Sequence, residues 1–427
     1  MKDLSAIHDS SVVRQLVKSV DAFQLARDLG ESGAFPDFNA CATLRMAASM
    51  ALADLLQDRS VGDHIRALTA GSEVPLAALS AFSKWDGYVN AALDSFQNPA
   101  LDELLFFSCV GLLARRPIEV RSLLRRPQVR AVIKALEQRP GEQDWPENVR
   151  RAIGTALLSL VQQADHKDVS HAAELMRVLA VQQGEIEGKW LTESADSSRD
   201  ALELLCYYHV AQAVIRTSEF LLVGTVERDG RQLSDFAPEL GRLLVKAEDY
   251  LAASGDAELS LWLKAASLML LQLRIDSIWV SGMNISERID QLIRELTREG
   301  REHPIFSLLP SQHDALRQRL PDPTQVAVVL QMPTSAGKTL LAEFAMLQTF
   351  EAYKDGTRIV YVTPTRALAT QVRRTLAEDL GPLEIEVSPA GSAFEEDPYE
   401  INLLEESTGV VVATPEKLDL LLRTHPD

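Results

Sequence analysis

The stretch VAVVLQMPTSAGKTLLAEF, residues 326–344, decides how the C-terminal part of the chain is read. Its first six residues are largely apolar and rich in valine, the composition of a strand buried on both faces of a parallel sheet. From Lys338 onward the period changes, and Leu340, Leu341, Phe344 and Leu347 recur at helical spacing. Met332 to Thr339 therefore reads as a turn between a strand and a helix. Main-chain amides of such a turn, here those of Thr334, Ser335, Ala336, Gly337, Lys338 and Thr339, point into a concavity at a helix N-terminus. The partial positive charge of the helix dipole there favours phosphate oxygens. Gly337 lets the backbone approach closely. Lys338 supplies a mobile charge for β- and γ-phosphates, and the Thr339 hydroxyl is a hard oxygen ligand suited to magnesium.

Outward from this stretch the pattern repeats. RIVYVT (358–363), LEIEV (383–387) and VVVAT (410–414) are short and β-branched, and helical segments are expected at 338–352, 366–379 and 416–423. Strands alternating with helices give right-handed crossovers and a sheet covered on both faces. Ligands bind at the carboxyl ends of such strands.

Through about residue 300 the pattern is instead that of amphipathic helices. Val13, Leu16, Val17, Val20 and Phe23 recur at helical spacing, as do apolar residues in 41–57, 99–115, 148–164, 169–183, 198–224, 238–254, 257–274 and 284–299. Gly71-Ser72, Asn98-Pro99, Pro140-Gly141, Asp229-Gly230 and Gly255-Asp256 punctuate them. Strand-like alternation is nearly absent. An irregular bundle and a helical-repeat array both fit helices of similar length in succession, although no fixed period with recurring residues occurs.

Composition narrows the class. With 46% hydrophobic and 24% charged residues among 427, the chain is globular rather than disordered, and it is long enough for two to four domains. Apolar runs are too short to span a bilayer, and MKDLSAIHDS is no secretory leader, so a cytoplasmic protein without membrane association is expected. Cys41, Cys109 and Cys206 lie in apolar segments away from metal-ligand spacing and read as buried reduced thiols. The net charge of −18 divides into −10 for residues 1–300 (32 basic against 42 acidic) and −8 for 301–427 (11 against 19). Any nucleic-acid contact must therefore use a local groove and backbone amides. One segment departs from this balance. Arg115, Arg116, Arg121, Arg125, Arg126, Arg130, Lys134 and Arg139 face only Glu119 and Glu137, a net of +6. Both a phosphate grip and a solvated helical face fit it.

MPTSAGKTLLAE resembles motif I of the DEAD/DExH-box superfamily-two helicases, in which methionine commonly replaces the first glycine of the phosphate loop. Other segments follow in the family's order. Phe306 and Gln312 in FSLLPSQHDAL resemble its adenine-recognising glutamine motif, since a side-chain amide can both donate to and accept from adenine. PTRALATQ, Pro364 to Gln371, resembles motif Ia, offering Pro364, Thr365 and Arg366 with free helix amides to a strand's phosphate. Gly391 in SPAGSA resembles the family's glycine-bearing strand contact. ATPEKLD resembles motif Ib, with Thr414, Pro415 and Glu416 opening a helix toward another phosphate.

The helical periodicity implies a large all-α N-terminal region, residues 1–300, expected to be a helical accessory or interaction domain. The resemblance implies a partial RecA-like α/β domain with a parallel sheet over 301–427. It further implies an ATP-dependent helicase or translocase on DNA or RNA, with ATP and Mg as cofactors and Lys338 and Thr339 at the catalytic site. No Asp-Glu-x-His or Asp-Glu-Ala-Asp string occurs. The chain is therefore expected to be the N-terminal portion of a longer motor, inactive alone in hydrolysis. An alternative reading makes the helical region an adaptor that recruits an effector or nuclease, a layout similar to large helicases of bacterial anti-phage defence. A P-loop kinase or transporter ATPase is a further class, which the ordered motifs argue against.

Overall fold

The computed structural model describes residues 101–424, apart from 114, 138–143, 194–197, 229, 255–256, 283–284, 319, 321, 326, 333–336, 354–356 and 390–408. The helices expected before residue 100, Cys41, the loop residues Thr334, Ser335 and Ala336, and Gly391 lie outside the described residues. The chain divides into two compact units, Met1–Ile275 and Asp276–Asp427.

The first unit is helical. Its described elements are α1 (Leu101–Leu113), α2 (Pro117–Leu124), α3 (Pro127–Glu137), α4 (Trp145–Gln162), α5 (His166–Glu193), α6 (Ser198–Val223), α7 (Ala237–Ser254) and α8 (Ala257–Asp276), the last ending at the unit boundary. Prolines at the start of α2, α3 and α4 fix φ where no intrahelical N–H is needed, which is why these helices begin there. Helices α4, α5, α6 and α7 pack in succession, with Trp145, Phe220 and Phe236 fully buried between them. Phe220 stacks on Phe236 at 5.2 Å, and Tyr207 meets Trp262 edge-on at 5.4 Å. The Trp145 Nε1–H donates to the Tyr208 hydroxyl at 3.0 Å, and that hydroxyl in turn donates to the Glu187 carboxylate, so one relay ties α4, α5 and α6. Cys109 and Cys206 are buried thiols, and burial pushes each up to about 12, which leaves them protonated and unreactive.

Between α6 and α7 lies a small antiparallel hairpin, β1 (Val226–Arg228) with β2 (Arg231–Leu233), with Gly230 at φ +75° in its turn. Three-residue strands carry too little alternation to be seen in a sequence pattern.

The basic segment also takes a specific role. The helix α4 ends at Gln163, in the left-handed conformation at φ 43°, and its last carbonyls would otherwise lack partners. Arg121 donates to Val161 O at 3.3 Å and to the Gln163 side chain at 2.9 Å. Arg125 donates to the carbonyls of Gln162 and Gln163 at 3.0 and 3.1 Å. Two guanidinium groups thus cap the negative end of the α4 dipole. The double substitution R121A/R125A is expected to cost about 1–2 kcal/mol of unfolding free energy. Urea denaturation of the full chain checks this, and an unchanged midpoint would remove the capping role.

The second unit holds α9 (Ile278–Gly282), α10 (Glu287–Thr297), α11 (Pro310–Arg317), α12 (Lys338–Ala352), β3 (Arg358–Val362), α13 (Arg366–Leu380), β4 (Glu386–Pro389), β5 (Gly409–Ala413) and α14 (Pro415–Thr424). The sheet is parallel with order β3-β5-β4 and register Val362↔Ala413 and Val387↔Val410. Every residue of β5 is buried, as a central strand covered on both faces requires. A 3-10 turn at Gly381–Leu383 occupies the start of LEIEV, which shifts β4 to 386–389.

One expected strand does not form. Ala327 to Met332 are without strand structure, and Val328 and Val329 are 46% and 95% exposed. A valine-rich run becomes a strand only when neighbouring backbone satisfies its N–H and C=O groups. Among the described residues β3 pairs with β5 only, and no ladder reaches 327–332.

Candidate nucleotide and strand-binding site

Helix α12 starts at Lys338, and Gly337 caps it in the left-handed conformation, φ 68° and ψ 44°. Only glycine adopts this at little cost. The cap offers no side chain to the first-turn amides. Gly337 is exposed and Lys338 and Thr339 are half-buried, whereas Leu340, Leu341, Phe344 and Leu347 are buried. The apolar face anchors the helix, and its N-terminal turn stays open to solvent.

Gln312 reaches this turn from α11. Its Oε1 accepts from Leu309 N at 2.7 Å, and its Nε2 donates to Gly337 O at 3.1 Å. One bond is made at each end of the amide, so contact with an adenine edge would use the second N–H and the second lone pair or replace these bonds. A Cβ added at Gly337 would collide with the same amide. Phe306 is 1% exposed and its carbonyl accepts from Ile278 N at 3.0 Å, which makes it a core residue.

The other candidate residues gather at the carboxyl ends of two neighbouring strands. After β3, Pro364, Thr365 and Arg366 are exposed, and Thr365 Oγ1 caps α13 by accepting from Leu368 N at 3.3 Å. After β5, Pro415 and Glu416 are exposed at the start of α14, but Thr414 is buried. A phosphate contact at this second turn would therefore fall to the helix amides rather than to the Thr414 hydroxyl. Thr363 links the two turns, its N–H donating to Ala413 O at 2.9 Å and its hydroxyl to Thr365 O at 3.2 Å. Strand-end neighbours lie about 4.8 Å apart, so both helix N-termini open on one edge of the sheet. Sequence patterns did not single out Thr363 or the fully buried Lys417. Thr363 closes the RIVYVT run and Lys417 falls inside ATPEKLD, but neither residue type announced its buried position.

Among the described residues no cluster of three His, Cys, Asp or Glu side chains could hold a metal ion, and no helix is long and apolar enough to cross a membrane. Magnesium, however, is commonly held by one or two protein oxygens together with phosphates and waters. A half-buried threonine in the first turn of α12, beside a lysine, fits that demand.

Residues 309–426 match the family model described as DEAD/DEAH box helicase. This segment belongs to that helicase family. The DEAD/DEAH box segment contains α11, α12, the parallel sheet and α14. The chain is 30% identical over 144 residues to the ATP-dependent DNA helicase Hel308 of Pyrococcus abyssi, covering 34% of this chain and 18% of that protein. It is 30% identical over 127 residues to the Hachiman protein HamB of Bacillus cereus, covering 30% and 11%. It is 32% identical over 111 residues to the DExH-box ATP-dependent RNA helicase DExH14 of Arabidopsis thaliana, covering 24% and 5%. The chain thus spans less than a fifth of the length of these relatives.

Proposed function

We propose that the protein is an ATP-dependent nucleic-acid motor in which the turn before α12 holds ATP-Mg and the turns after β3 and β5 hold one strand. The observation that carries this reading is the left-handed Gly337 cap, which presents Lys338 and Thr339 at an open helix N-terminus within a DEAD/DEAH box segment. The Lys338 ammonium would meet the β- and γ-phosphates, and the Thr339 hydroxyl would take one magnesium position. Amides from Thr334 to Thr339 would supply the remaining phosphate donors. Cleavage of the β–γ phosphoanhydride of ATP by water would supply the free energy and magnesium would neutralise phosphate charge, while the chain's own groups position both.

On the strand side, Pro364, Thr365 and Arg366, Gly391, and the turn at Thr414, Pro415 and Glu416 would contact phosphates. Such contacts fix register without reading bases. The relatives include a DNA helicase and an RNA helicase by name, and phosphate recognition accommodates both. Arg366→Ala is expected to weaken single-strand binding equally for unrelated sequences and to lower the salt-dependence slope by about 1. Fluorescence anisotropy over a range of salt concentrations checks this. A loss confined to one sequence, or no loss, would remove Arg366 from the strand path.

A second reading gives the helical region a protein partner, such as a nuclease or another effector. It is favoured by the exposed apolar residues Val178, Val181, Ile186 and Leu191 on the 28-residue helix α5, and by the similarity to HamB. Co-purification of the full chain with and without nuclease treatment separates a direct partner from one held through nucleic acid.

A further inference from the structure

Three parts of the second unit meet at a buried pair of carboxyl groups. Glu343 lies on α12, five residues after the Lys338 that starts it, and is 1% exposed. Asp379 lies in the last turn of α13, the helix that begins at Arg366, and is 3% exposed. Arg301, from the segment between α10 and α11, donates to Asp379 Oδ1 at 2.6 Å. The Asp379 carboxyl acts on Glu343 both as a charge and as a side-chain hydrogen-bond partner, and Glu343 Oε2 finds no donor among its neighbours. Two ionised carboxylates are acceptors only, so their contact becomes a hydrogen bond only if a proton lies between them.

We propose that Glu343 keeps its proton at neutral pH and donates it to Asp379, forming with Arg301 a proton-dependent clamp between α12 and α13. Both helices pack on α10, and the carboxyl pair ties them directly to each other. Burial and then the Asp379 charge push the Glu343 carboxyl well above the ordinary carboxylate range, with Arg301 pulling the other way. Other charged groups on the surrounding elements are occupied elsewhere. Arg298 pairs with Glu295 on α10, Arg288 lies 4.0 Å from Glu351, Arg374 pairs with Glu378, and His313 of α11 bonds Ser281. Asp290 on α10 and Asp314 and Arg317 on α11 are not among the groups that act on Glu343.

The sign follows from linkage. A carboxyl raised in the folded state contributes stability that is fully present below the unfolded value and is lost as pH rises toward and through the folded one. The thermal midpoint of the full chain is therefore expected to fall by several degrees as pH rises from about 5 to about 9. Glu343→Gln carries a neutral amide that can donate to Asp379. It should keep the low-pH midpoint of the wild type and flatten this decline, whereas Glu343→Ala should melt lower at every pH. A Gln variant with the wild-type slope, or one as unstable as the Ala variant throughout, would overturn the proposal. Infrared difference spectra give a second readout that needs no stable Ala variant. The wild type at neutral pH should show the carbonyl stretch of a protonated carboxylic acid that Glu343→Gln lacks, and a wild type without that band would equally overturn it. Neither readout involves nucleotide, so the outcome is separate from the fate of the motor assignment.

Discussion

A chain carrying Lys338→Ala is expected to bind ATP-Mg at least about tenfold more weakly than the wild type, with no change in its thermal midpoint. Hydrogen bonds to charged groups contribute about 1.5–3 kcal/mol each, and about 1.4 kcal/mol corresponds to a tenfold change in affinity. Lys338 is half-buried at the first position of α12, whose hold on the fold comes from Leu341, Phe344 and Leu347. Truncating it should therefore leave stability within about 0.5 kcal/mol, as for most surface substitutions. Titration with a fluorescent ATP analogue, alongside calorimetric melting, separates the two effects. Equal affinity in the variant would show that the turn before α12 is not the phosphate site. A fall in affinity matched by a large loss of midpoint would point to damage to the helix.

The second large effect is expected at Trp145. Its indole is 2% exposed at the start of α4, and its Nε1–H feeds the relay through Tyr208 to Glu187. Trp145→Ala removes the largest fully buried side chain among the described residues and is expected to cost about 3–5 kcal/mol. That loss lowers the midpoint by roughly 6–20 °C in a unit of this size. Trp145→Phe keeps most of the packed ring and loses the hydrogen bond, and should cost only about 1 kcal/mol. If the two variants melted together, packing around the indole would not be what holds α4, α5 and α6.

Much of this architecture was legible because burial and periodicity coincide. The runs at 358–363 and 410–414 became β3 and the fully buried β5, and α7 starts beside Pro238 and stops before Gly255. The run at 326–331 shows the limit. Its composition suits a strand, but a strand is a property of pairing, and pairing partners are not written in the run itself. Gln312 shows a second limit. The residue type announces what the amide can do, whereas its present bonds to Leu309 and Gly337 depend on where α11 meets α12. Arg121 and Arg125 stood out only as charge, since their acceptors lie about 40 residues later. Glu343 was hidden on the apolar side of an amphipathic helix, and only three-dimensional packing sets it against Asp379.

The close meeting of Gln312 and Gly337 has a consequence for how the sequence can drift. The bare α-carbon at 337 leaves the volume that the longer residue at 312 fills, and the twist of the chain there excludes β-branched replacements on its own account. Neither position can be exchanged freely while the other stays as it is. Swapping residues at one of them asks for a matching retreat at its neighbour, so the pair should behave in saturation mutagenesis as a single coupled locus, with double replacements faring differently from the sum of single ones.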